Sequence, residues 1–439
     1  MIWEILRYWV SFIIPVFYNR IQAKNIKNIQ IDGPVIIAMN HPNAFTDPII
    51  IAYLSYPYKV KYLARGDAFK PGFVTWFLST LGIVPIFRIQ DGGKEGLKKN
   101  EEAYIKVNQL LKKDGKVIVY AEGLCIQERR LRPLKKGVSR MVYGSYEYLG
   151  ENNNLVVVPV GINYSKPDKF RSSVFLNVGE PIKVKEFIEE YTQNPARANN
   201  NFLLTLAPKM KELITHINNK ENDEAVIQIE ELCKKDWLKN QGLDFKDLEH
   251  DFNTLKEITE KVNTAEIEKP QSLQEFKTKA KTYFNKIKTN GLRDWLLNPI
   301  NKNKITYSHL AYRICILILG FPVYLFALIG NYIPYKLTEK LSRKIAKNKE
   351  FYSSIVITSG MVFFLLNYLL WFIMVYLFSP TIFIPIFVCS GLILSGIFGL
   401  IYNPFKNKTK GVYRALKNKT LYIELFENRK ELINLINKF

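Results

Sequence analysis

Pro34-Val35-Ile36-Ile37-Ala38-Met39-Asn40-His41-Pro42-Asn43-Ala44-Phe45-Thr46-Asp47-Pro48 opens as an unbroken apolar run and closes on polar, charged and turn-forming residues. An apolar run this short and this rich in β-branched residues fits a strand covered on both faces. His41 then falls just past its C-terminal end, the edge of an open α/β sheet where ligands bind.

Outward from this stretch, further strands are expected at Val60–Ala64, Ile83–Ile86, Val117–Tyr120, Val156–Val160 and Val174–Val178. Helical patterns lie between them at Gly93–Lys112 and Lys136–Leu149. Strands alternating with helices predict an α/β domain with a mostly parallel sheet and flanking helices over residues 30–185.

Residues 1–29 precede it, with a start so apolar and aromatic (Trp3, Trp9, Phe12, Phe17) that a membrane-associated amphipathic helix is expected. Residues 186–305 are rich in Lys, Glu, Asn and Leu and read as a charged helical insertion. Its helices are expected at Asn201–His216, Asp223–Lys239, Phe252–Val262 and Leu273–Lys288, with a break at Glu268-Lys269-Pro270.

Residues 306–405 hold three apolar segments, Ile314–Ile333, Ile355–Phe378 and Ile382–Tyr402, long enough to be transmembrane helices. A basic tail, 406–439, ends the chain. Lys336, Lys340, Arg343, Lys344, Lys347 and Lys349 follow the first segment, and Lys406, Lys408, Lys410, Arg414, Lys417 and Lys419 follow the third. Both groups belong on the cytoplasmic side by the positive-inside rule. The N-terminus lacks signal-peptide features, so the α/β domain is expected to face the cytoplasm too. Three full crossings do not satisfy these demands together. A hairpin of segments two and three does, with the first, interrupted by Gly320-Phe321-Pro322, as a re-entrant or interfacial helix pair.

With 62 basic and 40 acidic residues the net charge is +22, which favours anionic partners. Nucleic acid is a poor candidate, because the aromatic residues concentrate in the apolar segments rather than among the cations. Four cysteines, Cys125, Cys233, Cys315 and Cys389, stand far apart without a CxxC pair. That spacing speaks against a zinc site or disulfide framework and suits a reducing compartment. No metal or other cofactor is expected.

Three strand ends carry chemistry. His41 stands six residues before Asp47, close enough for the carboxylate to turn back and fix the imidazole. Gly82-Ile83-Val84-Pro85-Ile86-Phe87-Arg88 ends in one guanidinium, which suits either a phosphate clamp or an ordinary surface ion pair. Val117-Ile118-Val119-Tyr120-Ala121-Glu122-Gly123 leads through Cys125, Arg129, Arg130, Arg132, Lys135 and Lys136 to Gly137 and a helix start. A basic loop entering a helix N-terminus can hold a phosphate, although a solvated loop would have the same composition.

These blocks, in this order, resemble the glycerolipid acyltransferase family, which includes glycerol-3-phosphate and lysophosphatidic acid acyltransferases. NHPNAFTDP resembles its His–Asp block, GIVPIFR its second, YAEGLCIQERRLRPLKKG its third, and VVPVGINY, around Pro159, its fourth. The resemblance covers roughly residues 30–185. It implies His41 as catalytic base and Asp47 as its orienting partner. It also implies Arg88, Glu122 and Gly123 around the acceptor phosphate, joined by Asn40, Arg132 and Lys136, and a pocket shaped by Pro159. Two departures stand out. Five residues rather than the family's usual four separate His41 from Asp47, a spacing shared with some yeast-type glycerol-3-phosphate acyltransferases that also carry C-terminal membrane segments. The third block has Ala121 where Pro is usual, and Cys125 near the usual hydroxyl residue.

The implied reaction moves a fatty acyl group from acyl-CoA or acyl carrier protein, as co-substrate, to a hydroxyl of glycerol 3-phosphate, in phospholipid biosynthesis at a bilayer. A lysophosphatidic acid or other lysolipid acceptor is the nearest alternative, and a non-catalytic membrane lipid-binding protein a more distant one. A covalent acyl-enzyme on Cys125, its thiol acidified by the neighbouring cations, is the rival mechanism. No G-x-S-x-G element supports a serine hydrolase.

Overall fold

The computed structural model describes residues 2–56, 60–66, 72, 83–86, 101–346 and 348–439. It divides into two compact units built from segments distant in sequence. The first unit comprises Met1–His216, Phe245–Lys256 and Lys347–Ser354.

The first unit is built on an eight-stranded sheet. Its strands are β1 (Arg20–Lys24), β2 (Val35–Met39), β3 (Val60–Arg65), β4 (Ile83–Ile86), β5 (Lys116–Tyr120), β6 (Val156–Tyr164), β7 (Ser173–Val178) and β8 (Ile182–Lys183). Their order is β1-β7-β6-β2-β5-β3-β4, with β8 beside β6. Among the described residues only β6 pairs antiparallel, with β7 and β8; the remaining pairings are parallel. The mostly parallel α/β fold expected from the alternation is therefore the fold observed. β2 lies between β5 and β6, and all five of its residues are buried, as its continuous apolar run requires.

Helices α1 (Ile2–Phe17), α2 (Thr46–Leu54), α3 (residues 101–111), α4 (Lys136–Leu149), α5 (Ile188–Gln193) and α6 (Pro195–Glu212) complete most of this unit. The expected helix at Gly93–Lys112 is seen from residue 101 on; 93–100 lie outside the described residues. Within α1, Tyr8 and Phe12 are exposed, but Phe17 is buried edge-to-face against Tyr18 and Phe170. Phe17 is thus a core residue rather than a membrane anchor. The side chains of Trp3 and Trp9 lie outside the described residues.

β1 follows α1 directly and is absent from the sequence expectations: RIQAK alternates polar and apolar residues, but Ile21 and Ala23 alone carry the pattern. On one face of β1, the side chains of Arg20, Gln22 and Lys24 meet Phe245–Lys256. The Gln22 amide donates to Asp247 at 2.8 Å and accepts from the Leu248 N–H at 2.8 Å, while Lys24 pairs with Glu249 at 2.6 Å.

The second unit comprises Ile217–Asp244, Glu257–Ala346 and Ile355–Phe439. It contains α7 (Asp223–Asn240), most of α8 (Leu248–Glu268), α9 (Pro270–Thr289), α10 (Tyr307–Ile345), most of α11 (Lys349–Phe378), α12 (Phe383–Lys417) and α13 (Lys419–Lys438). The break expected near Lys269 falls between α8 and α9. Helices α10, α11 and α12 are long and apolar enough to cross a membrane.

The expected helix pair within the first apolar segment is corrected: α10 is one helix of 39 residues running through Gly320 and Pro322. The glycines serve close packing instead. A Cβ on Gly320 would stand 3.0 Å from Phe398, and one on Gly330 2.2 Å from Leu392. Small residues let apolar helices approach closely. The Tyr402 hydroxyl donates to the Leu317 carbonyl at 2.8 Å, supporting the backbone one turn before Pro322. The basic tail is also ordered, as α13 buries Leu425, Leu432, Leu435 and Ile436.

Candidate active site

The parallel register places Met39 opposite both Tyr120 and Val160, so β2 and β5 end together at one sheet edge. His41 and Glu122 each lie two residues beyond those ends. The Asn40 side chain donates to the Ile162 carbonyl at 3.1 Å and accepts from its N–H at 2.8 Å. Asn40, expected at the substrate, is engaged as a strut that carries the β2–β6 pairing past the strand end.

Thr46 begins α2, so Asp47 lies in its first turn, where the helix dipole favours a carboxylate. His41 Nδ1 is 2.8 Å from Asp47 Oδ2. The same oxygen accepts the Asn43 N–H at 2.8 Å, and Oδ1 accepts the Tyr164 hydroxyl at 2.5 Å. Asp47 is fully buried and its oxygens are pinned from three directions. Burial first, then the Asp47 charge, pushes the Tyr164 hydroxyl far above the usual phenol range, so it stays a donor. A carboxylate facing Nδ1 makes Nδ1 carry the proton, which leaves Nε2 free to accept one. The Tyr120 ring stacks on the His41 imidazole, with centroids 3.6 Å apart and planes 14° apart. The imidazole is thus held in its plane as well as in its tautomer.

The second loop closes over the first. Ile126 N–H donates to the His41 carbonyl at 3.0 Å, and Ala44 N–H to Cys125 Sγ at 3.1 Å. Gly123 takes φ +65°, where a Cβ would also meet Lys135 Cγ at 3.1 Å, so glycine is required there. Glu122 is buried and accepts the Arg132 N–H at 2.9 Å. Burial holds its carboxyl above the usual range, opposed by that hydrogen bond and by the Arg132 and His41 charges.

Arg132 reaches Glu128 at 2.8 Å, and Arg130 lies 3.4 Å from the same carboxylate. Lys136 stands exposed at the start of α4. Arg88 lies outside the described residues. Pro159 is buried in β6 opposite Ala38, with its carbonyl accepting the Gly179 N–H at 2.9 Å.

The Cys125 expectation is corrected. Burial, followed by the Asp47 charge, drives its thiol well above the ordinary range, so the neighbouring cations do not produce a thiolate.

Sequence reasoning missed Tyr120, Tyr164, His216 and the first turns of α11. His216 Nδ1 accepts the Leu131 N–H at 2.9 Å, and burial, then the Lys211 and Arg130 charges, hold it down at about 4. At α11, Glu350 accepts the Gln127 N–H at 3.2 Å, and the Lys349 carbonyl accepts from the Gln127 side chain at 3.2 Å. The Ser354 and Thr46 hydroxyls are 3.0 Å apart. Tyr164 closes the fourth block and Tyr120 opens the third, so both had a signal; His216 and the first turns of α11 had none.

Residues 20–163 match the sequence model of the Acyltransferase family. The chain carries an acyltransferase-family domain. Its relatives include glycerol-3-phosphate O-acyltransferase 1 of Saccharomyces cerevisiae, 34% identical over 93 residues, which are 21% of this chain and 12% of that protein. They also include the chloroplastic 1-acyl-sn-glycerol-3-phosphate acyltransferase LPAT1 of Arabidopsis thaliana, 28% identical over 134 residues, 30% of this chain and 35% of that protein. The chain spans 12% to 36% of the length of such curated relatives. A crystal structure of the 1-acyl-sn-glycerophosphate acyltransferase PlsC from Thermotoga maritima aligns with TM-score 0.33 and 16% identity, over 48% of this chain and 81% of that one. Within the acyltransferase domain, the matched range holds the His41–Asp47 pair, Tyr120 and Glu122, and ends one residue before Tyr164.

Proposed function

We propose that the acyltransferase domain moves a fatty acyl group from an acyl thioester to a hydroxyl of a glycerol-phosphate-type acceptor, with glycerol 3-phosphate favoured over lysophosphatidic acid or another lysolipid. The observation that carries this reading is the His41–Asp47 contact of 2.8 Å at the sheet edge, which leaves Nε2 as a base. Nε2 takes the proton from the acceptor hydroxyl as its oxygen attacks the thioester carbonyl. The C–S bond then breaks, and the thiolate leaves with the electron pair and recovers a proton from the imidazolium or from water. General-base action of this kind is worth about 10²–10⁴-fold, and orientation of the two substrates supplies much of the rest.

The donor is acyl-CoA or acyl carrier protein, and the +22 net charge suits either. Arg88 is proposed to hold the acceptor phosphate, with Glu122, Gly123 and Arg132 shaping the adjoining loop. The apolar helices support a membrane-integral protein, and the cytoplasmic side is proposed for its acyltransferase domain.

The test is an assay of the purified full chain with labelled acyl-CoA and acyl carrier protein thioesters, offering glycerol 3-phosphate and lysophosphatidic acid separately. Wild-type transfer to one acceptor, abolished in His41→Ala, is the expected result. Equal turnover by the two proteins would overturn the reading.

A further inference from the structure

In the second unit, five cations are gathered from five elements, with Asp236 and Asp294 as their neighbouring acids. They are Lys235 on α7, Arg293 just before the 3-10 turn Asp294–Leu296, Lys304 at the end of the turn Pro299–Lys304, Arg313 on α10 and Lys408 on α12. The convergence follows from the contacts around them. Asn298 donates to both oxygens of Asp236, at 3.0 and 2.9 Å, which ties the turn region to α7 beside Lys235. Asn301 donates to the Trp295 carbonyl at 2.9 Å and accepts from Lys304 at 3.0 Å. The Lys408 ammonium lies over the Trp295 ring, 5.7 Å from its centroid. One residue on, Thr409 accepts from Arg313 Nε at 3.0 Å, and Phe405 receives the same guanidinium on its ring at 4.1 Å and on its carbonyl at 3.2 Å.

The acids of this neighbourhood are already engaged. Asp294 is buried against Arg429 at 3.0 Å and accepts the Tyr283 hydroxyl at 2.6 Å. Asp236 takes Asn298 and lies 3.7 Å from Arg429. The cations next to them in sequence, Lys235 and Arg293, are exposed, and none of the five forms an ion pair among the described residues. Partial desolvation, then Lys235, Arg313, Arg293 and Lys304, holds the Lys408 ammonium below the usual lysine range. Folding that gathers like charges in this way leaves the group short of an anion.

The cluster also stands where apolar surface begins. The apolar run of α10 starts at Ile314, directly after Arg313, and that of α12 ends near Tyr402, shortly before Lys408. Ile318 and Leu319 on α10 and Ile397 and Ile401 on α12 are exposed. A ligand with a phosphate at one end and hydrocarbon at the other matches both features. Basic pockets at the ends of membrane helices take anionic lipid headgroups for this reason. We propose that Lys235, Arg293, Lys304, Arg313 and Lys408 form a binding site for the phosphate headgroup of an anionic phospholipid, whose chains lie on the apolar helices. This site is independent of the reaction assigned to residues 20–163.

The experiment uses the full chain in zwitterionic detergent, titrated with dioleoylphosphatidylglycerol and, separately, dioleoylphosphatidylcholine, with bound lipid counted by native mass spectrometry. Arg313 is left intact because it is buried. Lys408→Gln is expected to weaken phosphatidylglycerol binding on the order of fivefold, and Arg293→Gln with Lys304→Gln to weaken it further by a similar factor per cation, with phosphatidylcholine unaffected. Lys408→Arg, which keeps the charge, is expected to bind as wild type. The proposal is overturned if the triple glutamine variant binds phosphatidylglycerol as tightly as wild type, or if wild type does not prefer it to phosphatidylcholine. Displacement of the lipid by an equal concentration of inorganic phosphate would overturn the headgroup assignment in favour of a soluble phosphate.

Discussion

Asp47 meets His41, Asn43 and Tyr164, and the hydrogen bond to His41 is the one whose loss changes chemistry rather than shape. Asp47→Asn keeps the volume but removes the charge that stabilises the imidazolium and fixes its tautomer. Transfer should fall by about 10²–10⁴-fold, read from single-turnover rates at a temperature where thermal unfolding shows the variant still folded. Cys125→Ser is the complementary case. A buried thiol held far above its ordinary range carries no acyl group, so the serine variant should keep activity within roughly threefold, and no acyl-protein adduct should survive a denaturing quench. The His–Asp pair was legible in the sequence because the partners stand six residues apart, His41 in the loop after β2 and Asp47 in the first turn of α2. Tyr164 lies 117 residues from Asp47, and only the register of β6 against β2 brings it there. Local spacing carries no trace of such a contact.

Among the elements, β2, β5 and β6 were legible because strands buried on both faces are written in continuous β-branched runs. β1 was not, since its alternation rests on Ile21 and Ala23 alone, too short a pattern to mark a strand. α11 shows a different limit. Hydropathy marked its apolar body, but its first turns belong to the first unit, where Glu350 holds Gln127 and Ser354 holds Thr46 beside Asp47. Both residues of the Ser354–Thr46 pair are buried, and Ser354→Ala removes one hydrogen bond while Thr46 keeps Tyr18, so it should cost about 0.5–1.5 kcal/mol. The measurement that separates positioning from plain stability is the rate at a temperature where the variant is fully folded. A slower kcat with unchanged KM for the acyl donor is expected, because the loop that orients His41 has lost one anchor. An unchanged kcat would leave the first turns of α11 a packing feature alone.

For the molecule as a whole, pH acts on folding through groups whose protonation the fold alters. His216 is held down at about 4, against about 6.5 when unfolded, so the unfolded chain binds the extra proton first. Its contribution to stability is therefore intact above about 6.5 and drains away as pH falls toward about 4. Glu122 acts with the opposite sign. Its carboxyl is raised by burial, so the folded chain takes up that proton more readily, and acidification through its raised value adds stability. Both groups grip the same basic loop, His216 through the Leu131 N–H and Glu122 through the Arg132 N–H, so their opposing effects meet in one segment. His216→Asn can still offer an oxygen to the Leu131 N–H but does not titrate. Thermal unfolding of the full chain in detergent, followed from about pH 6.5 down to about 4, should show a steeper loss for wild type than for His216→Asn. Adding Glu122→Gln to wild type should steepen the wild-type loss further by removing the offset. Superimposable profiles for wild type and His216→Asn would mean that the histidine is protonated in the folded chain and that the Leu131 contact does not hold it neutral.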